Sequence, residues 1–179
     1  MDPDITPKIY VASLSDYNAG RLHGVWIDAT EGMEAISIEI EAMLAASPEP
    51  GAEEYAIHDY EGFGPVRLLE YESLADVAAI AAGIQQHGHA FAVWADHLRS
   101  TADRWHSDLD QFEECFIGRW DSLADYGDHL LDLLGIDLDD DLPSLVAPYI
   151  YFDREMFALD FLDLHHIVLA SDGVYIFED

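Results

Sequence analysis

The chain has 179 residues, half of them hydrophobic, so it is long enough and apolar enough to bury a core. Its 37 acidic residues against seven lysines and arginines give a formal net charge of -30, which excludes nucleic acid and anionic membranes as direct partners and leaves basic proteins, cations or concentrated salt. One cysteine excludes an internal disulfide, and the absence of a signal peptide and of any apolar run of ~20 residues predicts a cytoplasmic protein without a membrane span.

The beginning of the chain predicts a small β-β-α-β unit. Strands are predicted at residues 8–14, 21–28 and 53–61. A turn is predicted at 16–20, and Thr30 is placed to cap a helix over 31–46. Three glutamates lie on the outer side of that helix or near its start: Glu31, Glu34 and Glu41. The sequence Gly-Phe-Gly-Pro at 62–65 marks the first boundary.

The middle of the chain predicts helices. Ser73 and Asp76 form an S-x-x-D capping box at the start of the first one, which Gly83 and Gly88 are predicted to break. A second helix is predicted on apolar spacing from Phe91. A third is predicted on the same spacing from four residues: Trp105, Leu109, Phe112 and Phe116.

The most acidic stretch comes next and predicts an amphipathic helix that starts at the S-x-x-D box of Ser122 and Asp125 and ends at Gly135. On a helical wheel, four aspartates fall within about 60° of one another: Asp121, Asp125, Asp128 and Asp132. Leucines and Tyr126 fall on the opposite side. Four more aspartates follow with no lysine or arginine among them: Asp137, Asp139, Asp140 and Asp141. At ~1.5 Å rise per residue the helical carboxylates repeat every ~4.5–6 Å, somewhat more sparsely than the phosphates of a DNA strand at ~3.4 Å.

The end of the chain predicts a short helical turn around Leu145, then the aromatic segment 149–152, and a hairpin. The hairpin strands are predicted at 166–170 and 174–177, joined by Ser-Asp-Gly. Together the elements predict an α+β fold, an elongated chain of three small units. They are an N-terminal α/β unit at 1–62, a helical middle unit at 63–104 and an acidic C-terminal α/β unit at 105–179.

Few residues favour catalysis or metal binding. His58 and Asp59 could form an acid–base pair, but neighbours in a strand point to opposite faces. The D-x-D-x-D spacing after residue 136 is typical of a calcium loop, yet an EF-hand needs glycine and glutamate where Leu142 and Pro148 stand. Two histidine pairs lack further spaced zinc ligands: His87 with His89, and His165 with His166. The sequence therefore predicts no catalytic residue, no metal and no cofactor.

Two blocks of the N-terminal unit resemble a known family. The sequence from residue 8 to 28 resembles the opening of ArdA-type antirestriction proteins, a strand followed by N-x-G-x-L-x-G-x-W. The motif residues are Asn18, Gly20, Leu22, Gly24 and Trp26. The sequence EEYAIHDYE at 53–61 is similar to the family's E-Y-A-I-H-D-Y-E block, and LLDLLG, LPSLVAPYIYFD and GVYIF are similar to its C-terminal region.

This resemblance implies DNA mimicry. Family members form elongated homodimers that imitate bent B-form DNA and occupy the DNA-binding groove of type I restriction-modification enzymes. They are carried on mobile genetic elements and protect incoming DNA. The phosphate-mimicking array would then comprise the eight aspartates of the 121–141 stretch and the three N-terminal glutamates named above.

Two other functions compete with this interpretation. A halophilic domain would carry its acids only to stay soluble in salt, and a small enzyme would use His58 and Asp59. The charge distribution argues against whole-surface solvation, because residues 1–61 hold 13 acids and 2 bases, residues 62–104 hold 5 and 3, and residues 105–179 hold 19 and 2. The enzyme requires a pocket with a perturbed carboxylate.

Overall fold

The computed structural model describes residues 6–101, 105–138, 143, 145, 149–161 and 165–178. The chain divides into two compact units, the first ending at Phe112 and the second beginning at Glu113. Each unit combines helices with a three-stranded antiparallel sheet, which confirms the predicted α+β class. The division into three units with boundaries after residues 62 and 104 stays a prediction.

The first unit follows the predicted β-β-α-β order and continues into helices. Its strands are β1 (Lys8–Ser13), β2 (Gly24–Asp28) and β3 (Tyr55–Glu61). Its helices are α1 (Leu14–Asn18), α2 (Met33–Ala45), α3 (Leu74–His87), α4 (His89–Thr101), α5 (Trp105–Asp108) and α6 (Phe112–Cys115), the last of which begins at the unit's final residue. Its 3-10 turns are Ala29–Glu31 and Leu109–Gln111.

β1 is the central strand of the first sheet, which has the order β2-β1-β3. Side chains alternate along a strand, so β1 sends Ile9 and Val11 to one face and Lys8 and Tyr10 to the other. Helix α2 contacts β1 and β2. The apolar side chains of these three elements form a buried layer: Ile9, Val11, Ile27, Ile36 and Ile40. The face that carries Tyr10 is therefore the open one.

Two local predictions in this unit were wrong because side-chain caps compete with the predicted structure. The turn predicted at 16–20 is confined to residues 19 and 20, because 16–18 belong to α1, whose N-cap Ser13 accepts a hydrogen bond from the Asp16 N–H at 3.3 Å. Thr30 does not cap α2. It lies in a 3-10 turn capped by Asp28, and α2 begins after Gly32, whose φ of 90° favours glycine.

Gly83 was predicted to interrupt α3, but the helix continues to His87 and is capped at Gly88. A Cβ at Gly83 would lie 2.2 Å from the ring of Phe91 on α4. The glycine therefore gives room for α4 to pack closely against α3. Gly83 has a low helix propensity, but it is needed in α3 for packing, and propensity alone cannot predict this.

The second unit is built on a sheet of order β4-β6-β5. Its elements are β4 (Phe116–Trp120), α7 (Leu123–Leu134), α8 (Arg154–Leu159), β5 (His165–Ala170) and β6 (Gly173–Glu178). The predicted hairpin is confirmed as β5–β6. Helices α7 and α8 pack against each other. Side chains from both helices and from β6 form the core: Tyr126, Leu130, Ala158, Val174 and Ile176.

The third predicted helix is split into α5, a 3-10 turn and α6, and the prediction was wrong only at its last residue. Apolar spacing carried it to Phe116, but that residue starts β4 and pairs with Phe177 of β6. Pairing with a strand far away in sequence overrides a local helical period. Helix α8 was not predicted, although Asp153 caps it by accepting a hydrogen bond from the Met156 N–H at 3.0 Å. The helical turn predicted around Leu145 lies mostly outside the described residues.

A buried carboxylate joins the loops of the first unit. Asp16 is fully buried and accepts hydrogen bonds from Ser47 Oγ at 2.5 Å and from Arg21 Nε at 3.3 Å. Hydrogen bonding from Ser47, followed by bonds from Ser13 and Arg21, holds the pKa of Asp16 below its ordinary value of 3.8 against the opposing effect of burial. The charged form therefore stabilises the folded unit.

Asp16→Asn is expected to lower the free energy of unfolding at neutral pH, since it leaves Arg21 without its buried partner. Because the folded-state pKa is lowered, this stabilisation is present above about pH 4 and is lost as the pH falls through the folded-state pKa. Urea denaturation of both proteins across pH 2.5–7 should show a difference that shrinks on acidification. Glu53→Gln, which removes an exposed charge, should change stability much less. A difference independent of pH would contradict the prediction.

Candidate partner-binding surface

Helix α7 has the ends that its sequence predicted. Ser122 accepts a hydrogen bond from the Asp125 N–H at 3.1 Å and donates one to Asp125 Oδ2 at 2.7 Å. Gly135 ends the helix in the left-handed conformation with a φ of 68°. The predicted capping box and glycine stop are therefore confirmed, and they fix which side chains of α7 face outward.

The two sides of α7 differ sharply in burial. The inner side is buried: Tyr126, Gly127, Leu130 and Leu131. The four aspartates of the predicted array are exposed: Asp121, Asp125, Asp128 and Asp132. Leu133 and Leu134 were expected on the inner side but are 70% and 56% exposed. The last turn of α7 therefore presents apolar surface beside the carboxylates.

Two arginines from outside the acidic stretch reach its carboxylates. Arg119 of β4 lies 3.0 Å from Asp121 (Nη1 to Oδ1), and Arg154 of α8 forms an ion pair with Asp128. The stretch contains no lysine or arginine of its own, and the fold brings two arginines to it. Exposed ion pairs of this kind are worth ~0–1 kcal/mol, so both carboxylates can exchange their arginine for another cation.

A cavity of about 280 Å³ lies at the end of α7. Its polar lining consists of Arg154 and three carboxylates: Asp128, Asp132 and Asp137. Asp137 is exposed. In the part of the chain that the structure describes, no group of three or more histidine, cysteine, aspartate or glutamate side chains could hold a metal ion.

The N-terminal glutamates of the predicted array are also exposed. Glu31 ends the 3-10 turn before α2, and Glu34 and Glu41 lie on α2 itself, about 10.5 Å apart along the axis at 1.5 Å per residue. Three predicted members fall outside the described residues: Asp139, Asp140 and Asp141. The array itself stays a prediction.

Comparison with known proteins decides the family. The family model described as antirestriction protein (ArdA) matches residues 9–176, nearly the whole chain. The chain belongs to the ArdA antirestriction family. Membership implies antirestriction directed at type I restriction-modification enzymes by an inhibitor rather than an enzyme. A search of curated proteins finds no match.

Both N-terminal blocks that resemble the ArdA family lie in the first sheet. The N-x-G-x-L-x-G-x-W block leads into β2, and the E-Y-A-I-H-D-Y-E block forms β3. They pair with opposite edges of β1. The sequence showed each block but not that one central strand brings them together.

Further exposed acids were missed by the sequence reasoning. Six of them lie on α2, at the two ends of α8 and on β3: Glu39, Asp153, Glu155, Asp160, Asp59 and Glu61. The acids of α8 could have been found from the capping residue Asp153 and the apolar residues that follow it. The sequence analysis considered Asp59 only as a catalytic residue and Glu61 only as part of the family block.

The residues proposed for catalysis have other contacts. The rings of His58 and Tyr17 form an edge contact at 4.8 Å between centroids, and Asp59 Oδ1 accepts a hydrogen bond from the Tyr60 N–H at 2.8 Å.

Among the described residues of the second unit, the groups whose pKa departs from its ordinary value are two tyrosines. Burial raises the pKa of Tyr126, and burial, followed by a hydrogen bond to Asp172, raises the pKa of Tyr175 to about 12. These phenols stay protonated and contribute to the core.

No helix within the described ranges has the length and apolar character that a bilayer crossing demands.

Proposed function

We propose that this ArdA family member inhibits type I restriction-modification enzymes as a DNA mimic, with surface carboxylates in place of phosphates. The exposed row on α7 carries the proposal. Asp125, Asp128 and Asp132 follow one edge of a capped helix at axial steps of ~4.5–6 Å while the opposite side is buried, and Asp121 lies just before the cap. The first unit carries exposed glutamates of its own on α2.

A groove built to bind phosphates has no means of excluding carboxylates at comparable spacing. Binding would release counterions from the inhibitor, as DNA releases its own. Because carboxylates imitate the backbone and not the base edges, inhibition should be independent of the recognition sequence of the enzyme. The inhibitor should therefore act on type I enzymes with different DNA recognition sequences.

We further propose that the active species is a homodimer. A chain with a net charge of -30 gives a dimer with about 60 negative charges, roughly the phosphates of 30 base pairs at two per pair. Sedimentation should then report about twice the chain mass of 20.0 kDa. A monomer that inhibits fully would contradict this part of the proposal.

The deciding experiment is displacement of labelled DNA from a type I methyltransferase core across 50–300 mM salt. Tight displacement at low salt should weaken steeply as salt rises, by about 10³-fold or more between 50 and 200 mM if six or more charges engage. The same titration with a core of different recognition sequence should give a similar affinity. A folded chain that displaces no DNA at any salt concentration would overturn the proposal and favour the halophilic alternative.

A further inference from the structure

The open face of the first sheet carries an aromatic pair beside a carboxylate. Backbone register places Trp26 of β2 opposite Tyr10 of β1, and Tyr10 opposite Asp59 of β3. The Tyr10 and Trp26 rings lie 5.5 Å apart at 52°. Trp26 is 43% exposed. A row of two rings and a carboxylate thus crosses the sheet.

Gly24 explains how this pair is held. A Cβ at Gly24 would lie 2.5 Å from the carbonyl oxygen of Val11 and 2.8 Å from Cζ and from the hydroxyl oxygen of Tyr10, so the tyrosine ring lies over a glycine that the adjacent strand also requires. Any larger residue would push the ring from the sheet. The glycine and the tryptophan of the N-x-G-x-L-x-G-x-W block therefore build one surface feature together with a residue outside the block.

The neighbouring row adds charge. Lys8 lies between Asp28 and Glu61 across the sheet, so the open face holds three carboxylates against one ammonium. Asp28 accepts hydrogen bonds from Thr30 N–H and Oγ1 and is occupied by its cap. Asp59 and Glu61 remain exposed beside the aromatic pair.

We propose that this open face (Lys8, Tyr10, Trp26, Asp28, Asp59 and Glu61) binds an arginine side chain of the target's basic groove. The inference rests on the proposed function and gives it a short-range contact. A guanidinium can stack on an indole face and pair with a carboxylate at its edge, and it is desolvated more readily than an ammonium. A nucleic acid base could also stack on the aromatic pair, but its phosphate would be repelled by the exposed carboxylates. The face therefore does not suit nucleic acid. The aromatic pair adds a short-range stacking contact to a surface that otherwise binds the target through electrostatic attraction.

Such a stacking contact has a recognisable dependence on salt. Carboxylates contribute to the slope of log affinity against log salt, because each one changes the number of counterions released. Trp26 carries no charge, so its removal should lower affinity equally at every salt concentration. In a plot of log affinity against log salt, loss of a carboxylate contact changes the slope, whereas loss of the Trp26 contact shifts the line without changing its slope.

The first test is the displacement assay with three variants. Trp26→Ala should bind the methyltransferase core about 10-fold more weakly at every salt concentration with an unchanged slope, and Trp26→Phe should be intermediate. Tyr71→Ala, which removes an aromatic that is 71% exposed in the same unit but outside the sheet, should bind like wild type. Wild-type affinity in Trp26→Ala, or an equal loss in Tyr71→Ala, would overturn the inference.

The second test needs no restriction enzyme. An arginine-only peptide should bind the wild-type chain several-fold more tightly than a lysine-only peptide of equal length, and Trp26→Phe should reduce that ratio. Because the ratio compares two ligands on one protein, partial unfolding affects it little. An unchanged ratio would refute the stacking contact. A wild-type chain that prefers arginine yet displaces no DNA would instead refute the proposed function alone.

Discussion

Replacing the three exposed aspartates of α7, together with Asp121 just before its cap, by asparagine is expected to weaken displacement of DNA from a type I methyltransferase core by about 30- to 100-fold at low salt. Exposed charge pairs contribute ~0.2–1 kcal/mol each, so four of them acting on one groove reach that range. The variant should also show a shallower salt slope, by roughly 0.9 per charge removed that faces the groove. The four sites are Asp121, Asp125, Asp128 and Asp132.

Each single Asp→Asn change should cost less than about fivefold, because the charge is distributed. Arg154→Gln is the matched control, since it removes the partner of Asp128 and makes the same surface more negative by one charge. Its affinity should equal or slightly exceed that of wild type. One aspartate whose loss abolishes inhibition, or an arginine variant as weak as the fourfold one, would contradict a distributed array.

The parts of the fold that follow from neighbouring residues were predictable. Helix α7 is the clearest case, because its cap, its stop and its apolar period lie within its own sequence. Ser122 and Gly135 each act on groups within a few residues, so no tertiary information is needed. The β5–β6 hairpin is local in the same sense, with a tight turn between two β-rich runs.

Elements whose identity depends on distant partners were not predictable. Phe116 fits the apolar period of the preceding helix, and only its pairing with Phe177 places it in β4. The exposure of Leu133 and Leu134 likewise reflects where the core of the second unit ends, which a helical wheel does not contain. The same reason hid the arginine partners of the acidic helix, because Arg154 reaches Asp128 across 26 residues.

The candidate site divides along the same line. Exposure of the acidic array follows from amphipathic periodicity, so its described members could be named from sequence alone. The aromatic pair could not, because it needs the register that sets Trp26 opposite Tyr10 and Asp59 on the far side of the same strand. The spacing of Gly24 and Trp26 marked a motif, and only the sheet shows what that spacing is for.

Gly127→Ala is expected to destabilise the second unit by about 1–2 kcal/mol net. A Cβ there would lie 2.3 Å from the carbonyl oxygen of Arg154, in the first turn of α8, and backbone has no rotamer by which to move aside. Overpacking of this kind costs ~1–3 kcal/mol, which exceeds the ~1 kcal/mol that alanine gains over glycine in a helix. Equilibrium denaturation in urea should report the loss.

Hydrogen exchange should locate the effect. Amides of α7 and α8 should lose protection in Gly127→Ala, while those of β1 in the first unit should keep theirs, because stability in proteins is lost in local cooperative units. Asp132→Ala places the same residue type on the exposed side of the helix and should change stability by less than about 0.5 kcal/mol. Because α7 packs against α8 and carries exposed aspartates, the glycine variant should weaken DNA displacement without removing any charge. Full protection of α7 in Gly127→Ala would mean that the close approach of the two helices, and with it the support of the acidic row, has been misplaced.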